Sequence, residues 1–446
     1  MSSILIRNGT IVNEGRSFMG NLLVENDNIS MIGEIPADKI PAGTKIIEAA
    51  GCLVIPGIID DQVHFREPGL THKADIYSET KAAAAGGVTS FMDMPNTIPN
   101  TVTLEVLEEK YRLGSENSLI NYSFYIGGTN SNLDQLLNAD PEKVCGIKLF
   151  LGSSTGNMLV NNPDTLDKIF AGSRLLIACH CEDENTIRNN GRIYREKYGD
   201  NIHVRFHPLI RSREACLITS SFAVDLARKH DTRLHILHLS TADELKLFSN
   251  DKPLGEKRIT GEVCVHHLWF EDNDYETLGN LIKWNPAIKT RYDRDSLRAG
   301  LNNNLIDIVA TDHAPHSLDE KSKSYFEAPS GGPLIQHSLV AMMELHHRGV
   351  FSVEKIVEMM CHNPSILYRI RKRGYIREGY KADLCIIDPD DPWQVKTENL
   401  IYKCGWSPFT GFIFRSKVRT TIVNGTVVYD DGEIFGNYRG ERLLFN

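Results

Sequence analysis

The sequence predicts an α/β protein, a TIM (β/α)8 barrel that carries a small β-sandwich made from both chain termini. Short apolar strands separated by turn residues occupy roughly the first fifty and the last sixty residues. Between them, eight apolar strands alternate with stretches long enough for helices. Eight such units are typical of a TIM barrel. We therefore expect residues 1–54 plus 380–446 to form the sandwich and residues 55–379 to form the barrel.

The two chain ends show similar strand patterns. Turn residues such as Arg-Asn-Gly at 7–9 and Asn-Gly at 424–425 separate the short apolar runs. Two small groups of strands at opposite ends indicate one β-sandwich built from both. The expected strands are Ile4–Arg7, Asn21–Glu25, Asn28–Ile32, Lys45–Glu48, Ala382–Ile387, Val418–Val423 and Thr426–Tyr429.

The middle of the chain holds the expected barrel strands. In a TIM barrel, catalytic side chains gather at the face where the strands end, so the residues that follow each strand are the first candidates for a site. The eight strands are Leu53–Ile59, Val88–Met94, Leu119–Ile126, Gly146–Leu151, Leu175–His180, Leu234–His238, Ile259–Val265 and Ile306–Thr311.

The composition is that of an ordinary globular protein and gives no sign of nucleic-acid or membrane binding. The chain has 446 residues, 41% hydrophobic and 24% charged, with a net charge of −9 and no basic block of the kind that binds nucleic acid. No apolar run approaches the roughly 18 residues that span a bilayer, and the N-terminus reads as a strand rather than a signal peptide. Nine scattered cysteines fit reduced thiols. We expect a cytoplasmic enzyme with a small-molecule substrate and no nucleic-acid or membrane partner.

Metal-binding and acid–base side chains stand at the ends of most predicted barrel strands. A single histidine there is more often a packed core residue than a ligand. Here, however, imidazoles from three strands and a carboxylate from the eighth converge on one face, and this is the ligand set that zinc prefers. The residues are Gln62, His64, Arg66, Asp93, Asn96, Lys148, His180, His238, His266, His267, Asp312, His313 and His316.

The order of these motifs resembles the amidohydrolase superfamily and, within it, the dihydroorotases. The resemblance spans nearly the whole chain. It implies reversible cyclisation of N-carbamoyl-L-aspartate to dihydroorotate and water in pyrimidine biosynthesis. Allantoinases and hydantoinases share the metal set, and some dihydroorotase-like chains are inactive partners of aspartate transcarbamoylase, so both alternatives stay open. The motifs are DDQVHFREPG at 60–69, MDMPNT at 92–97, GIKLFLGSSTG at 146–156, HPLIRSREA at 207–215, HILHLST at 235–241, EVCVHHL at 262–268, WNPAIKT at 284–290 and ATDHAPH at 310–316.

The resemblance implies a set of metal ligands. His180 and His238 would hold one Zn²⁺ with a carboxylated Lys148, and His64 and Asp312 would hold a second ion that shares this carbamate. An ammonium has no acceptor for a cation, whereas a carbamate has. Lys148 lies within an apolar strand, where an unpaired ammonium would be costly. Asp312 would be the general acid and base, with an N-cap to the following helix as its structural alternative.

The resemblance also implies substrate contacts. Arg66 would bind the ring carboxylate through its planar fork, with Asn96 and His316 as further carboxylate contacts and Asn285 as the contact to the ring amide. The glycine-rich loop at 328–336 is expected to contact substrate. Two alternatives remain open for His266: it lies near the substrate, or it only packs against the seventh strand. A homodimer is expected because dimers are common among symmetric enzymes, and aspartate transcarbamoylase is the partner that the resemblance adds.

One position departs from the family's Asp-x-His-x-His pattern, because Gln62 occupies the place of the first histidine. Strand alternation puts positions 62 and 64 on the same face, but a neutral amide oxygen is a weaker zinc ligand than imidazole. Gln62 is then a weak ligand, or water replaces it, or only the ion at His180 and His238 is tightly held. We expect an active enzyme with one or two Zn²⁺ per subunit and a weaker second site.

Overall fold

The computed structural model describes residues 2–152 and 158–446. The last residues of the GIKLFLGSSTG motif, 153–156, lie outside this described part. The strands are Ser3–Asn13 (β1), Arg16–Glu25 (β2), Asn28–Gly33 (β3), Lys45–Glu48 (β4), Leu53–Pro56 (β5), Ile58–Val63 (β6), Val88–Asp93 (β7), Asn121–Phe124 (β8), Ile126–Gly127 (β9), Ile147–Phe150 (β10), Ile177–His180 (β11), Leu234–Ile236 (β12), Ile259–Cys264 (β13), Ile308–Ala310 (β14), Leu384–Asp388 (β15), Trp393–Gln394 (β16), Ile413–Phe414 (β17), Lys417–Val423 (β18), Thr426–Asp430 (β19) and Glu433–Ile434 (β20).

Helices follow most of the strands in the middle of the chain. Among the described residues, no helix is both long enough and apolar enough to cross a membrane. The α-helices are Ile76–Ala85 (α1), Leu104–Asn117 (α2), Leu133–Leu137 (α3), Pro163–Gly172 (α4), Glu184–Tyr198 (α5), His207–Ile210 (α6), Arg213–His230 (α7), Val265–Trp269 (α8), Tyr275–Leu278 (α9), Arg291–Asn302 (α10), Leu318–Lys321 (α11), Ser338–His347 (α12), Val353–Val357 (α13) and Asn363–Tyr368 (α14).

Strands from both chain ends form one nine-stranded sheet, as the β-sandwich prediction requires. Its order is β20-β19-β18-β15-β5-β1-β2-β3, and β4 pairs with β1. These strands share an apolar core of their own, which includes Ile11, Leu22 and Leu384. The hairpin of β18 and β19 turns at Asn424 and Gly425, whose φ angles of 45° and 70° are those that an Asn-Gly turn favours.

The predicted first barrel strand, Leu53–Ile59, is wrong, because two strands share this apolar run. β5 pairs with β1 and β15 in the terminal sheet, and β6 begins the barrel after Gly57. A Cβ atom on Gly57 would lie 2.1 Å from Thr89 Oγ1, so only glycine allows the chain to turn so close to β7. The predicted border between residues 54 and 55 therefore falls inside β5; the remaining domain borders stay predictions.

Strands β6 to β14 form the eight-stranded barrel. The expected strand Leu119–Ile126 is shorter and interrupted at Tyr125, so that β8 and β9 are its two halves. All neighbours pair in parallel, β6-β7-β8 on one side and β9 to β14 in sequence order on the other. The first and last strands meet where His64 N donates to His313 O at 2.7 Å. The strand ends therefore share one face.

Candidate active site and metal centre

A cavity of about 220 Å³ lies where the barrel strands end. It brings together the ten residues to which the family resemblance assigns a metal or substrate role, whereas the other strand-end candidates, Asp93, His266, His267 and His313, are not in its lining. Phe150, Ala314 and the loop Pro329–Gly331 complete its wall. The predicted residues in the lining are Gln62, His64, Arg66, Asn96, Lys148, His180, His238, Asn285, Asp312 and His316.

Three of these residues lie in a strained backbone conformation. The φ angles of Arg66, His238 and Asp312 are 67°, 39° and 47°, in the left-handed region that side chains other than glycine rarely adopt. Such strain is concentrated at functional sites, where the surrounding fold holds it. Each of the three follows a barrel strand, so the bend turns the side chain towards the cavity instead of continuing the strand.

His64 and Asp312 meet in an arrangement that fits a cation. His64 Nδ1 lies 2.7 Å from the amide oxygen of Asn96, so it donates a proton to it. The other ring nitrogen, Nε2, then carries a lone pair, and it faces Asp312 Oδ1 at 3.1 Å. Two electron-pair donors at this separation need a proton or a metal ion between them. The following helix α11 is capped by Ser317, so Asp312 is not its N-cap.

Gln62 faces this pair with its amide nitrogen. Its Nε2 donates to Asp312 Oδ1 at 3.3 Å, while its Oε1 lies 3.7 Å from the thiol of Cys264. Both partners are buried. The oxygen, which is the atom that could bind a metal, is thus turned towards the thiol.

His180 and His238 form the second group. Their facing nitrogens, Nδ1 of His180 and Nε2 of His238, lie 3.0 Å apart, close to the roughly 3.3 Å that separates two ligands of a tetrahedral zinc ion. His180 Nε2 donates to Glu182 at 3.0 Å, which leaves Nδ1 as the free electron pair. Burial lowers the pKa of both histidines, well below the usual range for His238. Neutral imidazoles of this kind fit a metal ion.

Glu182 is a functional residue that the sequence analysis missed. It is fully buried between His180 and Arg211. Burial alone raises the pKa of this carboxyl group, but Arg211 and His180 outweigh it and lower the value to about 2. A carboxylate behind a metal-binding histidine fixes the ring's orientation and tautomer. Its position two residues after His180 was the available signal, but only the fold shows that the chain turns it back onto the ring.

Lys148 lies at the floor of the cavity with 1% of its surface exposed. Its ammonium lies 4.7 Å from the centre of the Phe150 ring, and no carboxylate among the described residues forms an ion pair with it. Burial lowers its pKa from 10.5 to about 8. About a tenth of the amine is therefore neutral at pH 7, far more than for an ordinary lysine, and the neutral amine is the form that combines with CO₂.

The residues predicted to bind substrate form one wall. Arg66 donates through Nε to Pro315 O at 3.1 Å, and its terminal nitrogen lies 3.1 Å from His316 Nε2. Within residues 2–152 and 158–446, no carboxylate lies within ion-pair distance of this buried guanidinium. The side-chain oxygen of Asn285 is buried and has no hydrogen-bond partner in the same part of the chain.

Two buried lysines hold the glycine-rich loop against the cavity. Lys321 Nζ donates to Pro329 O at 3.0 Å and Gly331 O at 2.7 Å, and Lys283 Nζ donates to Ala328 O at 2.5 Å. Gly331 has a φ angle of 126°, and a Cβ there would lie 2.5 Å from the Ala314 carbonyl oxygen. The loop thus lines the site as expected, although the lysines that support it were not foreseen.

A further buried group lies inside the barrel, apart from the cavity lining. His235 Nε2 is 3.5 Å from Asp61 and 3.3 Å from Glu262, and these three groups are arranged as a metal could require. Burial opposes protonation of His235, yet the two carboxylates outweigh it and raise its pKa to about 9. An imidazolium between two acids accounts for the arrangement without an ion. The sequence analysis did not identify this group.

The structure also shows where His266 and two of the buried cysteines lie relative to the cavity. His266 stacks flat on Trp284, with ring centres 4.4 Å apart, and is outside the cavity lining, so it packs the seventh strand. Cys179 and Cys181, which flank His180 in the sequence, belong to the apolar core.

Comparisons with known proteins agree with this geometry. Residues 53–428 match the amidohydrolase family. The chain is 30% identical to a dihydroorotase of Pyrococcus abyssi, across 99% of this chain and 98% of the relative. It is 32% identical to a dihydroorotase of Clostridioides difficile, across 96% and 100%. Among solved structures, an L-hydantoinase (dihydropyrimidinase) of Arthrobacter aurescens superposes with a TM-score of 0.94 at 25% identity over 100% of both chains. A dihydropyrimidinase of Brevibacillus agri superposes with a TM-score of 0.89 at 22% identity, over 100% of this chain and 99% of the other, and shares the fold.

Proposed function

This chain belongs to the amidohydrolase family and is a hydrolase of cyclic amides, and from that premise we propose that it is a dihydroorotase. The reaction is the reversible cyclisation of N-carbamoyl-L-aspartate to (S)-dihydroorotate and water. Full-length similarity to several dihydroorotases supports the proposal. The observation that carries it is a buried arginine, Arg66, that faces the cavity without an ion-pair partner among the described carboxylates.

Arg66 favours a cyclic amide that carries a carboxylate over one that does not. Its pKa falls through burial to about 10, so the guanidinium stays charged at neutral pH. A buried unpaired charge is costly, and none of the described carboxylates lies within ion-pair distance of it. Dihydroorotate carries a carboxylate on its ring that can pair with Arg66 through two parallel hydrogen bonds. A simple hydantoin or dihydropyrimidine has no such group and leaves the charge unpaired.

The residues present fit zinc. His180, His238 and a carboxylated Lys148 would hold one ion, and His64, Asp312 and the same carbamate would hold a second, so we propose one or two Zn²⁺ per subunit. The facing lone pairs of His64 and Asp312, the neutral histidines and the low pKa of the Lys148 amine support this assignment. When bound, zinc polarises a carbonyl and lowers the pKa of a water molecule.

The chain's own side chains then have separate tasks. Asp312 accepts a proton from the attacking water and passes it to the ring nitrogen that leaves; in cyclisation the same carboxylate works in reverse. Arg66, His316 and Asn96 bind the substrate carboxylate, and Asn285 contacts the ring amide. The amide oxygen of Asn96 is occupied by His64, so its NH₂ group is the part that can donate to the carboxylate.

Substrate comparison on zinc- and bicarbonate-loaded protein tests the proposal. Hydrolysis of dihydroorotate, dihydrouracil, hydantoin and allantoin is followed in the same buffer. We expect kcat/KM for dihydroorotate to exceed the others by on the order of 100-fold, the upper range for a hydrogen bond to a charged group. Equal or faster turnover of hydantoin or allantoin would move the chain to the other cyclic amidohydrolases. No turnover of any substrate would favour an inactive partner of aspartate transcarbamoylase.

The assembly and location of the chain are part of the same proposal. Its nine free cysteines fit the reducing environment of a cytoplasm. We propose a homodimer, with association to aspartate transcarbamoylase as a second arrangement. Analytical ultracentrifugation of the chain alone and mixed with that enzyme measures both. A species of monomer mass in the run with the chain alone would contradict the homodimer, and two species that sediment independently in the mixture would contradict the association.

A further inference from the structure

Resting on the proposed function, we infer that Lys73 is a positioning residue for substrate recognition. It selects the tautomer of His316 that carries its proton on Nε2, and so aims a hydrogen-bond donor at the substrate carboxylate. Lys73 itself is not part of the cavity lining. It acts from behind His316, on the side of the ring away from Arg66.

The contact at Nδ1 of His316 defines the tautomer. Lys73 Nζ lies 3.0 Å from this nitrogen. An ammonium is a donor with no acceptor, so Nδ1 has to accept. Glu320 holds the ammonium in place at 2.8 Å, and its other oxygen is 3.6 Å from Nδ1, beyond hydrogen-bond range. Lys73 is therefore the group that decides where the ring proton lies.

The contacts at Nε2 agree with this assignment. With the proton on Nε2, the ring donates to Ser330 O at 3.1 Å. The opposite tautomer would accept from Arg66 at Nε2. It would, however, set an N–H against the Lys73 ammonium and a lone pair against the Ser330 carbonyl, so two contacts would become unfavourable for one gained. Burial also keeps the pKa of His316 well below its usual range, with the nearby Arg66 adding to the effect, so the ring is neutral. Its backbone is held by Trp406 Nε1, which donates to His316 O at 2.7 Å.

The consequence is a pair of converging donors. His316 Nε2–H and the terminal nitrogen of Arg66 are both donors in this tautomer and lie 3.1 Å apart, and no acceptor among the described residues bridges them. A carboxylate oxygen placed between the two would accept from both, as charge-assisted bonds favour. A substrate without a carboxylate makes no use of this pair. Lys73 therefore contributes to the binding of the anion, and not to the chemical step.

The test replaces Lys73 by Met, which keeps the length of the side chain but removes the donor. We expect KM for dihydroorotate to rise on the order of 10- to 100-fold, as for loss of a hydrogen bond to a charged group. We expect kcat to change by less than about threefold, within ordinary surface effects, and hydrolysis of dihydrouracil to stay unchanged. Lys73→Arg should recover most of the loss because it restores a cationic donor. An equal loss with both substrates would overturn the inference.

A matched control removes a nearby cation that does not touch His316. Lys403 pairs with Asp75, two residues beyond Lys73, at 2.6 Å. Lys403→Met should leave KM for dihydroorotate at the wild-type value. If it raises KM as much as Lys73→Met does, general electrostatic attraction explains the effect and the tautomer argument fails.

A measurement without turnover separates this inference from the proposed function. Nitrogen-15 NMR of histidine-labelled, zinc-loaded protein distinguishes a protonated Nε2 from a protonated Nδ1, and a His316→Gln sample assigns the signal. We expect Nε2–H in the wild type and a mixture of tautomers in Lys73→Met. A wild-type signal from Nδ1–H refutes the inference, even if the chain is a dihydroorotase. If the signal comes from Nε2–H but the protein does not hydrolyse dihydroorotate, the positioning role of Lys73 is upheld and only the proposed dihydroorotase activity is refuted.

Discussion

Gln62→His should convert the weaker metal position into a tight one. In the structure the amide nitrogen of Gln62 donates to Asp312 at 3.3 Å and its oxygen faces Cys264. To bind a metal, the oxygen has to turn and the bond to a charged carboxylate is lost, which costs about 1.5–3 kcal/mol. At about 1.4 kcal/mol per tenfold, this weakens the second ion roughly 10- to 150-fold. An imidazole at position 62 needs no such rearrangement.

The measurement is a competition between the protein and a graded series of zinc chelators, followed by metal analysis after dialysis. Wild-type protein should release one ion well before the other, and Gln62→His should hold both with similar strength. Gln62→Met is the control, because it has neither a strong zinc ligand nor a donor for Asp312, and its second ion should be no tighter than that of the wild type. Two equally tight zinc ions in the wild type would refute the reasoning, as would an unchanged second site in Gln62→His.

Three other outcomes follow from the geometry of the site. Because burial lowers the pKa of Lys148 to about 8, the fraction of the reactive neutral amine increases as pH rises through that value. Zinc uptake in bicarbonate buffer should therefore increase between about pH 7 and pH 9. Zinc uptake that does not change with pH would contradict this. Asp312→Asn should lower kcat about 10²- to 10⁴-fold, the range for loss of a general acid or base. If a rapid-quench assay finds kcat near the wild-type value, Asp312 does not transfer the proton. Arg66→Lys should raise KM for dihydroorotate about tenfold or more, since a lysine cannot form two parallel bonds, whereas the rate with dihydrouracil should be unchanged in the same steady-state assay.

Most of the barrel could be predicted from local patterns. Each barrel strand is a short apolar run, and in a parallel sheet covered by helices such runs are buried on both faces. The break between β5 and β6 could not be found in this way, because Leu53 to Ile59 is one apolar run. What divides it is the pairing of β5 with β15, a strand more than three hundred residues later in the chain.

The candidate site could be predicted where a barrel strand ends in a residue type that binds metals or transfers protons. His64, Lys148 and Asp312 are residue types with metal or acid–base chemistry. Lys73 carried no such signal, because a lysine in a loop is an ordinary surface residue. Glu182 carried only its position two residues after His180. Their roles depend on which imidazole nitrogen they face, and that depends on distances within the folded chain.

By itself, the order of residues predicted the eight strand-helix units of the barrel, the set of metal and acid–base groups, and the family. The physical reason is that strand periodicity and side-chain chemistry are local properties of a sequence. Only the tertiary structure decided that the amide oxygen of Gln62 turns away from Asp312, that Arg66 has no carboxylate within ion-pair distance in the described part of the chain, and that Lys73 lies behind His316. Each of these depends on contacts between strands far apart in the chain, whose angles and separations are set by packing.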